Sequence, residues 1–291
     1  KGLTKNPKKV NILGLVPALD PFWRGNLIEV KRLLKELGIE ANTFFTHFDQ
    51  LDSLKNSSEA SLNIVFSEVN GIGAAKAYEE IHEIPYVNLP LPIGPDATDE
   101  FLRFIAQKFD VENELLEKVI REEKEYYYGY IQNVADIYND LDLQRHAIIV
   151  GNADYAYAVT KFVTSDFGWI PYFTAVTDIL EDDEKEKVKK AFESFNEDLK
   201  PYLVFETDTS IIASKLKEKI EEEKDSYGSP ISPAFVLGST LDRSLANELK
   251  AGFLSVTYPV TNRVVTDQGY TGYRGGLRLA NDILSSLLSN R

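Results

Sequence analysis

The chain has 291 residues, 32 basic against 46 acidic for a net charge of −14, and neither cysteine nor methionine. That length is more than one ordinary hydrophobic core serves and calls for two, while the negative field opposes nucleic-acid phosphates and anionic lipid surfaces. Without cysteine there is no disulfide, no thiolate nucleophile and no cysteine-held iron–sulfur or zinc site within these residues.

Residues 1–10 are basic but lead into a strand rather than the apolar core of a signal peptide. No apolar run approaches the ~20 residues of a membrane span, so a cytoplasmic protein is expected. Absent methionine and an initial lysine are what a piece of a longer product would show. From residue 10 onward, short apolar runs alternate with segments of helical period, the pattern of βαβ units and a mostly parallel sheet. Strands are predicted at 10–15, 40–45, 62–66 and 85–88. Leu27, Val30, Leu33, Leu34 and Leu37 share one face of a first helix that stops at Gly38. The second half repeats the plan, with strands at 146–150, 169–176, 202–205, 234–237 and 253–256 and a last helix from about 276 to 288. Between the halves, residues 112–140 contain no proline and one glycine, and Leu115, Leu116, Val119, Ile120, Tyr127 and Ile131 recur at helical spacing. This predicts one long helix, with two helices and a turn at Gly129 as the alternative because glycine costs a helix interior about 1 kcal/mol. The expected fold is therefore α/β, with two Rossmann-like αβα domains, residues 1–120 and 121–291. A stiff joining helix would hold a nearly fixed cleft between them.

Candidate site residues fall where strands hand over to helices, beyond the carboxyl ends at which open α/β sheets bind ligands. Asp20 to Asn26 follows the first strand. There Asn26 can cap the helix, and Trp23 and Arg24 offer an apolar surface and a cation for an anionic ligand or a protein partner; a packed tryptophan beside a surface arginine is the plainer reading. The segment 91–102 runs into a helix capped by Asp96 or Thr98, where backbone N–H groups behind Gly94 could hold an anion, although Asp99 and Glu100 already complement the dipole. Residues 71–76 imitate a dinucleotide fingerprint, but Lys76 stands where a third small residue is needed for close helix–strand packing, so NAD and FAD are rejected. No Walker-type phosphate loop is present. His47, His82 and His146 are too scattered to suggest a metal site, and the acids of 181–186 read as a solvated helix face. Residues 270–278 follow the last strand and place Thr271, Tyr273 and Arg274 within the run 269–276, which has four glycines in eight residues. That composition suits either a close approach to a ligand or another chain or a tight turn.

Taken together, residues 26–34, 91–102, Gly238 to Arg243 and Gly272 to Gly276 resemble nitrogenase component 1 proteins, above all the second and third domains of beta-type subunits and of related nitrogenase-like oxidoreductases. The resemblance implies an oligomeric oxidoreductase of the molybdenum–iron protein or nitrogen-fixation type. It would pair with a homologous component 1 subunit and receive electrons from an ATP-hydrolysing iron-protein partner. It also implies an iron–sulfur or metal cluster held in the full complex by cysteines of a domain not contained in these residues. Alpha-type subunits are expected to carry a cofactor-ligating histidine near the C-terminal glycine motif, where this chain has Thr271 before Gly272. The resemblance thus assigns no catalytic residue and no metal ligand here, and leaves Trp23, Arg24, Gly94, Thr98, Thr271, Tyr273 and Arg274 as cofactor-cavity or interface residues. The 291 residues alone are expected to be inactive. On the residues alone, a two-lobed binding protein for a chelated metal or similar small ligand also fits, whereas a glycosyltransferase lacks an identifiable phosphate site and base.

Overall fold

A computed structural model describes residues 4–46, 48–140, 143–224 and 231–289; His47 lies outside them. The chain forms two compact units, Lys1–Tyr128 with Asp267–Gly276, and Gly129–Thr266 with Leu277–Arg291.

In unit 1, β1 (Lys9–Leu13), β2 (Glu40–Asn42), β3 (Leu62–Val65) and β4 (Tyr86–Asn88) form a sheet in the order β2-β1-β3-β4, every pair parallel. β1 and β3 are buried along their whole length, as central strands covered on both faces must be. That burial includes polar residues. Asn11 Nδ2 donates to Asn63 Oδ1 at 2.8 Å and to the Ser57 carbonyl at 2.9 Å, and Asn42 Nδ2 donates to Asn11 Oδ1 at 2.9 Å. This asparagine ladder crosses β2, β1 and β3 and ties their register to side chains as well as backbone. The helices are α1 (Trp23–Glu36), α2 (Leu51–Lys55), α3 (Ile72–His82) and α4 (Gly94–Lys108). α1 buries Leu27, Val30, Leu33 and Leu34, the stripe expected from its period.

α5 (Asn113–Asp140) runs unbroken for 28 residues, roughly 42 Å. The alternative turn at Gly129 is not formed. Leu116, Val119, Ile120, Glu123 and Tyr127 are all buried on one side of the helix, and that anchoring outweighs one glycine's intrinsic cost of about 1 kcal/mol.

In unit 2, β5 (His146–Gly151), β6 (Ile170–Val176), β7 (Tyr202–Phe205), β8 (Ala234–Gly238) and β9 (Gly252–Ser255) form a second parallel sheet in the order β7-β6-β5-β8-β9. Its helices are α6 (Ala153–Ser165), α7 (Asp182–Phe192), α8 (Thr209–Glu223) and α9 (Arg243–Glu248). Ile148, Phe173 and Val236 of the strands pack with Ile212 and Leu216 of α8 and Leu245 of α9. The last helix, α10 (Gly272–Ser289), begins four residues before the sequence suggests. Its first turn holds Gly272, Gly275 and Gly276, which read as loop by composition and are helical because of what they pack against.

Candidate functional site

Most of the candidate side chains lie in unit 1, where α1, α4 and the returning segment Asp267–Gly276 meet. α1 is not capped by Asn26. Its N-cap is Phe22, whose N–H donates to Asp20 Oδ1 at 2.8 Å. Asn26 sits inside the helix, fully buried, with Nδ2 donating to Asp20 Oδ2 at 3.3 Å. Its Oδ1 accepts the backbone N–H of Tyr270 at 2.8 Å and of Thr271 at 3.1 Å. Phe22 and Tyr270 pack beside this contact with ring centroids 4.5 Å apart. Gly25 and Gly269 allow the approach: a Cβ on Gly25 would lie 2.2 Å from the Gly269 nitrogen, and one on Gly269 would lie 2.3 Å from the Asn26 nitrogen.

α4 starts at Gly94, with Ile93 as its N-cap, so neither Asp96 nor Thr98 caps it. Pro95 occupies the first turn, where its missing N–H costs nothing. Thr98 is buried one turn in, and its hydroxyl donates back to the Gly94 carbonyl at 2.5 Å. Ile93 bridges Thr271, and the Gly272 N–H donates to the Pro92 carbonyl at 2.6 Å. Gly94 and Thr98, neighbours at the start of α4, are thus brought beside the sequence-distant Thr271. Among the described residues the buried Thr271 hydroxyl has no hydrogen-bond partner there.

Tyr273 and Arg274, in the first turn of α10, part ways. Tyr273 is fully buried and its hydroxyl donates to Asp99, whose other oxygen pairs with Lys124 of α5. Burial first, and the neighbouring Asp99 second, push its phenol well above the ordinary tyrosine range. Its hydroxyl is therefore engaged within unit 1. Arg274 is half exposed, lies 5.1 Å over the Tyr126 ring and approaches Glu123 at 3.7 Å. Glu123 in turn receives two hydrogen bonds from Arg32, at 2.7 and 2.8 Å, and Arg32 also holds Glu29 at 2.6 Å. Burial opposes the Arg32 charge, yet these carboxylates outweigh it and raise its pKa. Trp23 is buried at the start of α1, and Arg24 lies over its ring at 5.7 Å and over Phe48 at 4.8 Å.

Sequence reasoning missed Asp20, Glu29, Arg32, Asp99, Glu123 and Lys124 as members of this cluster. Only Glu29 and Arg32 left a local trace, as an i,i+3 pair on a helix; the others are joined across longer separations. Among the described residues no group of three or more His, Asp or Glu is placed to hold a metal ion. None of the described helices is long and apolar enough to cross a membrane.

The fold has counterparts among known proteins. Nitrogenase Cp1, in a structure at pH 6.5, superposes with a TM-score of 0.72 at 21% identity, covering 98% of this chain and 60% of that one. A light-independent protochlorophyllide reductase subunit of Gloeothece citriformis (strain PCC 7424) is 24% identical over 295 residues, covering 98% of this chain and 53% of the relative. The same-named protein of Crocosphaera subtropica (strain ATCC 51142 / BH68) is 29% identical over 174 residues, 58% of this chain and 33% of the relative. The chain thus spans about half the length of the curated relatives it matches end to end. The sequence profile of Nitrogenase component 1 type Oxidoreductase matches residues 1–288. With two parallel-sheet α/β units and that profile along almost its whole length, the chain belongs to the nitrogenase component 1 type oxidoreductase family.

Proposed function

We propose that these residues form part of a nitrogenase-like reductase subunit that works beside a homologous component 1 subunit and takes electrons from an iron-protein partner in the cytoplasm. The observation that carries this reading is the family match over residues 1–288. Its curated relatives bear the name of a protochlorophyllide reductase subunit, so the wider class of nitrogenase-like reductases is favoured over a molybdenum–iron protein of nitrogen fixation.

An iron–sulfur cluster of the full complex would find poor ligands here. The chain has no thiolate, and the Thr271 hydroxyl is buried. The role left to this chain is to wall a cavity and to dock partners. Arg24 and Arg274 suit docking best, since each guanidinium lies over an aromatic ring, and arginine and aromatic residues dominate interface energies. Gly94, Thr98 and Thr271 suit the wall.

The test is to purify the native-length protein together with a second component 1 subunit and follow ATP-dependent oxidation of a reduced iron protein. A stable complex that takes up electrons is expected, with Arg24→Ala or Arg274→Ala weakening assembly at least about fivefold, as loss of an interface anchor does. A protein that neither assembles nor accepts electrons would overturn the reading.

A further inference from the structure

The chain contains a single Asn-Gly dipeptide, Asn70-Gly71, in the turn between β3 and α3. A glycine after asparagine has no side chain to shield its backbone nitrogen, which can then reach the side-chain amide carbon of its neighbour. The fold leaves both reacting groups unengaged. The turn is fixed through Ser67, whose Oγ accepts the N–H of Val69 at 3.1 Å and of Asn70 at 2.8 Å. Among the described residues no hydrogen bond holds the Asn70 side chain or the Gly71 N–H. Asn11, Asn26 and Asn42, by contrast, are each tied down by their side-chain amides. Gly71 also stands at the N-cap of α3, a helix with no side-chain cap and no acid in its first turn. The positive end of that helix dipole favours the ionised form of the Gly71 nitrogen.

We propose that Asn70 is a site of spontaneous deamidation in the folded chain. The Gly71 nitrogen, its proton lost to solvent base, adds to Asn70 Cγ. The Cγ–Nδ2 bond breaks, and ammonia leaves with a proton taken back from solvent, so the product is a cyclic imide. Water then opens that ring, giving aspartate by attack at the side-chain carbonyl and isoaspartate by attack at the main-chain carbonyl; nothing is oxidised or reduced. The fold receives the two products differently. Aspartate sets a carboxylate beside the uncapped N–H groups of α3. Isoaspartate routes the main chain through an extra carbon where the backbone is already crowded: a Cβ on Gly71 would lie 2.8 Å from the Gly14 nitrogen, and one on Gly14 would lie 2.8 Å from the Phe66 nitrogen. Conversion therefore loosens α3 from the ends of β1 and β3. This rests on contacts within unit 1 and holds whatever the subunit reduces.

Peptide mapping by mass spectrometry, after the 291-residue chain has aged in mildly alkaline buffer, tests it. Asn70 is expected to lose its amide before Asn56 and Asn63, which lie with it between Lys55 and Lys76 and so report from the same tryptic peptide. Aspartyl and isoaspartyl forms of that peptide should both appear. A synthetic peptide of residues 66–76 gives the rate without the fold. Asn70→Gln, whose longer side chain closes the ring slowly, should keep its amide. The aged chain should melt at least about 3 °C below the Asn70→Asp variant, which carries the same added charge without the extra carbon. An Asn70 amide that survives in the folded chain after the free peptide is fully converted would overturn the proposal. So would conversion of Asn56 or Asn63 ahead of Asn70, or an aged chain that melts with the Asn70→Asp variant.

Discussion

Tyr273 and Arg274 are adjacent in sequence, and their side chains answer to different forces. The tyrosine is fully buried and bonded to Asp99, whereas the arginine is half exposed and held by one ring and one distant carboxylate. Removing the hydroxyl in Tyr273→Phe should cost about 2 kcal/mol, the usual worth of a hydrogen bond to a charged group. Truncation in Tyr273→Ala should cost about 3–5 kcal/mol by opening a cavity. Arg274→Ala should cost under about 1 kcal/mol, as exposed ion pairs do. Urea unfolding of the three variants checks the ordering, and an Arg274→Ala cost equal to that of Tyr273→Ala would contradict it. Both side chains read as recognition groups from sequence because a glycine-rich setting says nothing about which of them faces inward.

At the scale of the element, two glycines inside helices predict opposite responses to one substitution. Gly129 lies in the exposed middle of α5, with nothing within 4 Å of where a Cβ would stand. Gly129→Ala should therefore stabilise by about 0.5–1 kcal/mol, the difference in helix propensity. Gly275 in α10 would place a Cβ 2.1 Å from the Tyr270 carbonyl carbon. There Gly275→Ala should destabilise by about 1–3 kcal/mol through overpacking. Thermal melts of the pair measure both signs, and a destabilised Gly129→Ala would mean that α5 bends at this residue. The long joining helix was legible from its apolar spacing. The early start of α10 was not, because propensity disfavours glycine in helices and only the packing of 267–276 reverses it.

For the whole molecule, pH dependence follows from buried carboxylates. Asp178 Oδ2 accepts the Ala153 N–H at the start of α6 at 2.6 Å. Burial pushes its pKa up, and that hydrogen bond only partly opposes the rise. The folded state thus binds the proton more tightly than the unfolded chain does. The stabilising contribution is present at low pH and is lost as pH rises from the ordinary aspartate range, about 3.9, through the raised folded value. Asp178→Asn keeps an acceptor for Ala153 and removes the titration, so its stability relative to the parent should grow across that window and level off above it. Denaturant midpoints between about pH 3.5 and 7 test the sign; a variant that loses ground as pH rises would refute it. The isolated 291 residues should also purify colourless and without stoichiometric iron, since they contain no thiolate. Iron analysis and a visible spectrum decide this.

By itself the sequence determined the alternation of strands and helices, the parallel α/β class, the long joining helix and the family, because apolar period and local motifs are properties of neighbouring residues. Tertiary structure alone decided that Asn26 serves residues 244 and 245 positions away rather than its own helix end. It likewise decided that Glu123 gathers Arg32 and Arg274, and that the first unit is completed by a segment from near the other end of the chain. Those choices depend on which buried polar groups can find partners once the sheet has formed, and a hydrogen bond closed across most of a polypeptide leaves no periodicity behind in its sequence.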